Sequence, residues 1–387
     1  MMKHKWLYLA PSAILVLTVA AFMMAPGLFA QAQSGNSKHQ NDTSHVDHLN
    51  GLKLITEVGS TAFVLDANNK TVPEDSNPYG IVVVPQGVPH MDNGFKAGDV
   101  LVTDIGGNHD GDVIVRFPAA KGPAHLFNTP TTTKQGPAML AINAKTGDVW
   151  VADLAGNSIR IFAENGTLKT TLTSPLFNHP WGMAYNWGTK NPHDGSVASF
   201  FTSNALDATI DRIDLVWANG KWNFKIFQIG LLTKGPEKTK IGMVWTPSIT
   251  IGGKKYTDVL LAVDPVNNRI AAYPDSTTRN TSNMKSMDRG ITAFEGKPLN
   301  VPSVPTINPL DTNSLLVTNQ NDNNVIELNL SEKKVTGWKA LDNVPVDPAN
   351  GNGSALFGVV AVKDAGGNLR LFFTDDNTNT LDQLSVS

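Results

Sequence analysis

One phrase recurs along this chain, and it constrains the fold more than any other feature. Residues 149–162 read VWVADLAGNSIRIF, and the same order returns as VLLAVDPVNNRIAAY (259–273), LLVTNQNDNNVIEL (315–328) and LFFTDDNTNTLDQL (371–384). Looser copies are VLVTDIGGNHDGDVIVRF (100–117) and SFFTSNALDATIDRIDL (199–215). Each copy is an apolar run, an Asp or Asn, a short polar turn and a second alternating run. A unit that returns at a near-constant interval commits a chain to stacked or radially arranged copies of one supersecondary element. The reference residue falls at Asp104, Asp153, Asn204, Asp264, Asn319 and Asp375, spaced 49, 51, 60, 55 and 56 residues apart.

The second copy shows the whole unit. Strands are predicted over 139–143, 149–152, 159–162 and 167–173, with turns at Ala144–Gly147, Asp153–Asn157 and Glu164–Gly166. Asn165-Gly166 supplies the positive φ that a tight hairpin needs, and the reference Asp or Asn can accept hydrogen bonds from the turn that follows it. Four antiparallel strands repeated six times give an all-β chain folded as a six-bladed β-propeller. The last copy has strands at 356–362, 369–374 and 380–386 and then ends. Leu52–Val58 alternates suitably to supply the missing fourth strand and close the ring, which removes an aggregation-prone edge. Residues 51–387 therefore read as one domain.

Composition narrows the class. Charged residues are 17% of the 387, the formal net charge is −3, and no basic run forms a nucleic-acid footprint. There are no cysteines, which excludes disulfides, thiolate metal sites and cysteine nucleophiles. Lys3 and Lys5 precede an apolar stretch that ends near Ala30-Gln31-Ala32, the layout of a secretory signal peptide over 1–32. The competing reading is an uncleaved anchor, the one route by which a membrane would be a partner. Pro11 and Pro26-Gly27 favour cleavage. Residues 33–50 read as a disordered polar tail, in which His39, His45 and His48 are solvated composition.

The unit resembles the NHL-repeat family in Val263-Asp264-Pro265-Val266-Asn267-Asn268-Arg269-Ile270, and more loosely in Asp153–Ile161. The resemblance implies a propeller more than a function. Six-bladed relatives of the gluconolactonase and paraoxonase type hold a channel calcium on Asn, Asp and Glu side chains at strand starts. The matching slots here read Tyr79, Pro137, Trp181, Pro247, Phe357 and Ser303, and no carboxylate stands in any of them, so the resemblance to those hydrolases stops short of their metal. No cofactor is expected. Asn108, Asp110 and Asp112 form a weak calcium-loop match that lacks its bidentate Glu.

The strand starts at the channel mouth carry Tyr79, Trp181, Trp245 and Phe357, an expected aromatic rim open to a flat or sugar-like ligand. His179, just before Pro180-Trp181 at the mouth, is the best single catalytic candidate, with His109 on the same face in the turn after Asp104, although one placed histidine does not make a zinc site of the kind some six-bladed lyases use. The six reference residues are expected on the same face, either as turn formers or as ligand-binding groups. The favoured reading is an exported module that binds a small molecule, a glycan or a protein. The alternatives are a six-bladed hydrolase or lyase with a channel metal, and a structural cell-surface scaffold. The long loops at 85–98, 186–198, 234–241 and 274–298 are where specificity is expected.

Overall fold

The computed structural model describes residues 47–386 apart from residues 75, 89–93, 132, 187–197, 219–220, 237, 280–287 and 348. The predicted leader, most of the polar tail, and His39, His45, His90 and His193 lie outside the described residues. Within them, every regular element except a single 3-10 turn at Leu49–Gly51 is a strand.

Blade two shows how the sequence pattern becomes a sheet. Pro137–Ile142, Val149–Asp153, Ser158–Phe162 and Leu168–Leu172 pair in order, innermost to outermost. Blades three, four and five repeat this with innermost strands Pro180–Tyr185, Met243–Ile251 and Pro302–Asn308. Blade six consists of Leu356–Lys363, Leu369–Asp375, Thr380–Ser385 and, outermost, Leu54–Ser60 from the other end of the chain. The register runs from Leu54 opposite Ser385 to Ser60 opposite Thr380, so the expected closing strand is present two residues later than read.

Blade one departs from the four-stranded plan. Beyond Pro78–Val83, Val100–Asp104, Val113–Phe117 and the short His125–Leu126, it gains the hairpin Phe63–Leu65 and Thr71–Pro73. Leu65 pairs with His125 in parallel. This sheet therefore has six strands.

The seams between blades are filled unequally. Between blades two and three, Trp150 stacks on Phe200 at 3.9 Å between ring centroids, with Tyr185 against the same ring. Between blades six and one the facing residues are smaller, including Val58, Val83, Val100, Val360 and Val362. Aromatic rings contribute large buried areas per side chain, and valine leaves more of a wedge-shaped gap unfilled.

The polar tail ends earlier than expected. His48, read as solvated, donates its backbone N–H to Glu327 at 3.0 Å, and its ring Nδ1 lies 2.8 Å from the same carboxylate. Leu49 is buried. A buried carboxylate needs several donors, and Glu327 also takes Asn308 and Ser314 at 2.9 and 2.7 Å.

Candidate functional site

Register locates the channel mouth. In five blades the residue opposite the reference residue opens the innermost strand: Pro78 with Asp104, Pro137 with Asp153, Pro180 with Asn204, Pro302 with Asn319 and Leu356 with Asp375. A bulge follows in each, and three residues later Ile81, Leu140, Met183, Pro305 and Val359 rejoin the ladder. In blade four the equivalent of Met183 is Met243, paired with Ala262 two residues before Asp264. The strand-opening slot of blade four is therefore Lys240, followed by Ile241-Gly242.

This corrects the sequence reading, which placed Trp245-Thr246-Pro247 in that slot and Pro137 in place of Ala138. The Trp-Thr-Pro phrase imitates the Pro-x-Gly phrase of other blades but lies further along its strand. Trp245 donates its indole N–H to Asp258 at 2.8 Å and lines the channel at the end away from the mouth. The six residues after the strand openers are Tyr79, Ala138, Trp181, Ile241, Ser303 and Phe357.

Three of them meet. The Tyr79 and Phe357 rings stack at 4.1 Å and 7°, and Trp181 meets Tyr79 edge-on at 5.1 Å. They come from blades one, six and three, so the contact crosses the axis. All three are 5% exposed or less. They form a sealed floor, which differs from the open rim that the sequence suggested. Above it, the Lys240 ammonium lies 4.5 Å from the Phe357 centroid, 5.1 Å from Tyr79 and 5.5 Å from Trp181. It also donates to the Tyr79 hydroxyl at 2.9 Å. A lysine over desolvated aromatic faces gains cation–π attraction as well as its hydrogen bond.

Polar groups surround Lys240. The His109 ring is edge-on to Tyr79, with Nε2 at 3.4 Å from the hydroxyl. Burial, helped by the charges of Lys240 and Lys238, holds His109 below the ordinary imidazole range. Burial and Lys238 do the same to His179. Both rings are therefore neutral at pH 7. Burial keeps the Tyr79 phenol protonated far into alkali. Asp376 is pushed up to about 6 by burial, with Lys240 opposing the shift and Asp375 adding to it. Lys240 was missed as a site residue, and His109, expected on the mouth face in the turn after Asp104, was not singled out. The signal for Lys240 was the apolar-Gly pair Ile241-Gly242, which matches Trp181-Gly182 and Phe357-Gly358.

His179 directly precedes Pro180, the opener of the innermost strand of blade three. Its φ is +61°, and its backbone N–H donates to Asn157 of the neighbouring blade at 2.7 Å. The reference residues lie inside the sheets, each 6% exposed or less. Asp104 accepts from the N–H of Asn77 at 2.6 Å, and Asn204 and Asn319 hold the equivalent N–H groups of Asn178 and Asn300. They tie the strand opener to the end of the second strand. Asp153 is ion-paired with Arg160 and Asp264 with Arg269, whereas Asp375 accepts from Asn377 and Thr378 in its own turn. Asp110 pairs with Lys134, and Asp112 with Arg160 and Thr131, so these two acids point to separate partners. Among the described residues no three His, Asp or Glu side chains converge as metal ligands.

Below the aromatic floor the channel is apolar. Met139, Met183, Met243, Val304 and Val359 line a cavity of about 150 Å³ that opens on the opposite face.

Fold and site together define a six-bladed β-propeller with a lysine-capped channel mouth. The fold is similar to that of an auxiliary nutrient binding protein from Bacteroides thetaiotaomicron VPI-5482, with a TM-score of 0.50 and 10% identity over 85% of this chain and 75% of that one. It is also similar to virginiamycin B lyase from Staphylococcus aureus, with a TM-score of 0.49 and 15% identity over 86% and 99%. At these identities the likeness is one of fold alone. No protein-family model and no curated protein matches the chain, so the NHL-repeat likeness rests on the quoted residues.

Proposed function

We propose that this chain is an exported binding module that takes a small polar ligand at the channel mouth. The observation that carries the reading is the placement of Lys240. It stands where five blades have Pro or Leu, held over aromatic side chains from three blades. A fixed cation beside the neutral His109 imidazole, the protonated Tyr79 phenol and the Asp376 carboxyl makes an ordered set of hydrogen-bond groups on a rigid, water-poor base. Such a set suits a ligand bearing a carboxylate or several hydroxyls, as acidic sugars do. Export is supported by the charged, apolar and Ala-x-Ala segments of residues 1–32. The hydrolase or lyase alternative draws on the Tyr79–His109 contact alone.

The test is calorimetric titration of the chain from residue 33 with glucuronate, citrate and neutral oligosaccharides, in wild type and Lys240→Met. Methionine covers the aromatic floor with a chain of similar length and removes the charge. Expected is binding of an acidic probe that weakens about tenfold or more in Lys240→Met. Equal affinity in both proteins would remove the mouth from the function.

A further inference from the structure

A deep cleft lies away from the mouth, at the seam where blade six meets blade one. It has a volume of about 840 Å³. The innermost strands form its inner wall through Val82, Val83 and Val84 on one side and Val360, Ala361 and Val362 on the other. Phe117 and Phe372 lie further out. Val82, Pro85 and Val360 also line the channel cavity, so the two lie on either side of the same strands.

The cause is visible in the sequence. At the innermost strands this seam is packed with valine and alanine, with Phe117 and Phe372 only further out, where the blade two–three seam has Trp150 and Phe200. Val58, Val83, Val360 and Val362 are left half-buried. Apolar surface lining a deep cleft gains free energy when an apolar molecule displaces its water.

The rim is charged, with Lys121, Lys363 and Arg370 against Glu57 and Asp364. Arg370 is distinctive among them. Its Nε is buried and has no hydrogen-bond partner. The Arg370 side chain as a whole is half-buried and lines the cleft, where a guanidinium can pair with a carboxylate.

We propose that this cleft binds an elongated apolar molecule with one carboxylate, of the free fatty-acid class, with its chain along the valine wall and its head at Arg370. Three cations against two acids at the rim match a single negative head. The volume lies in the range of sites that enclose ligands of this size. The site is independent of the mouth and stands whether or not Lys240 binds anything.

The experiment uses the chain from residue 33 at about pH 8 with dodecanoate and dodecanol as probes, read by displacement of a fluorescent fatty acid. Wild type is expected to bind dodecanoate more tightly than dodecanol. Arg370→Gln is expected to lose about tenfold or more in dodecanoate affinity with little change for dodecanol. Ala97→Trp, in a loop at the cleft entrance, and Val83→Phe, in its wall, are each expected to weaken both probes, and Lys240→Met neither. Dodecanoate binding that ignores Arg370→Gln and both filling variants would overturn the proposal. So would binding to phosphatidylglycerol vesicles without displacement by free dodecanoate, which would make the cleft a membrane contact.

Discussion

At the residue scale the buried acids decide how stability depends on pH. Asp211 is 0% exposed, accepts one hydrogen bond from Asn204 Nδ2 at 2.7 Å, and leaves Oδ1 without a partner. Burial pushes it up to about 7 from 3.8, against the Asn204 hydrogen bond. A carboxyl raised in the folded state favours folding at low pH, and the benefit is lost as pH climbs toward the folded value. Wild type should therefore lose stability between about pH 4 and pH 7 through this group. Asp211→Asn keeps an acceptor for Asn204 and removes the charge. It should be more stable than wild type by roughly 1–3 kcal/mol at pH 8, with the gain fading toward pH 4. Melting curves of the two proteins across this range check it, and parallel pH profiles would show that Asp211 is not the source. Nothing in the local sequence marks Asp211 as different from an exposed strand acid, because its burial is set by the packing of the folded sheet.

At the element scale, the turn after each second strand carries more than the reference residue. Four positions after it stand Asn157, Asn268, Asn323 and Asn379, all with φ between +47° and +55°. The first three accept the backbone N–H of His179, Val301 and Ala355 at 2.7, 2.7 and 3.0 Å, which staples each blade to the next. Blade one is one residue shorter before its strand, and Asn379 Oδ1 is buried without a donor. The phrase was legible because these turns are local chemistry. Blade four was misread because its opener is Lys240 and a false Trp-Thr-Pro lies just beyond. Glycine would have corrected it. Gly182, Gly242 and Gly358 follow the openers by two, and a Cβ at each would run into the carbonyl oxygen of Ile241, Ser303 and Tyr79 in the adjacent blade. Gly242→Ala should cost about 1–3 kcal/mol, since backbone at a ring axis cannot move aside. Gly51→Ala, with nothing within 4 Å, is the neutral control. Equal melting points for the two would refute close packing at the axis.

At the scale of the whole molecule, the N-terminal segment touches three blades in succession. His48 and Leu49 donate to Glu327 in blade five, at 3.0 and 3.3 Å from their backbone N–H groups. Lys339 of the same blade donates to the carbonyl of Leu52. Leu54–Ser60 then completes blade six, Thr61 donates to the carbonyl of Asn379 at 2.9 Å, and Phe63–Pro73 extends blade one. Pattern alone showed the middle of this strap, because only the closing strand alternates. Its anchor at Glu327 is a pairing across 279 residues and leaves no local trace. The two parts should fail differently. A chain starting at Leu54 loses the Glu327 anchor and keeps the closing strand. It should remain monodisperse with a lowered melting point, because a buried carboxylate has lost donors. A chain starting at Ala62 leaves Thr380–Ser385 as a bare edge at the point of ring closure, and should associate through that edge. Light scattering during melting separates the outcomes. Monodisperse behaviour of both chains would mean that the ring closes through side-chain packing and that the shared blade is dispensable.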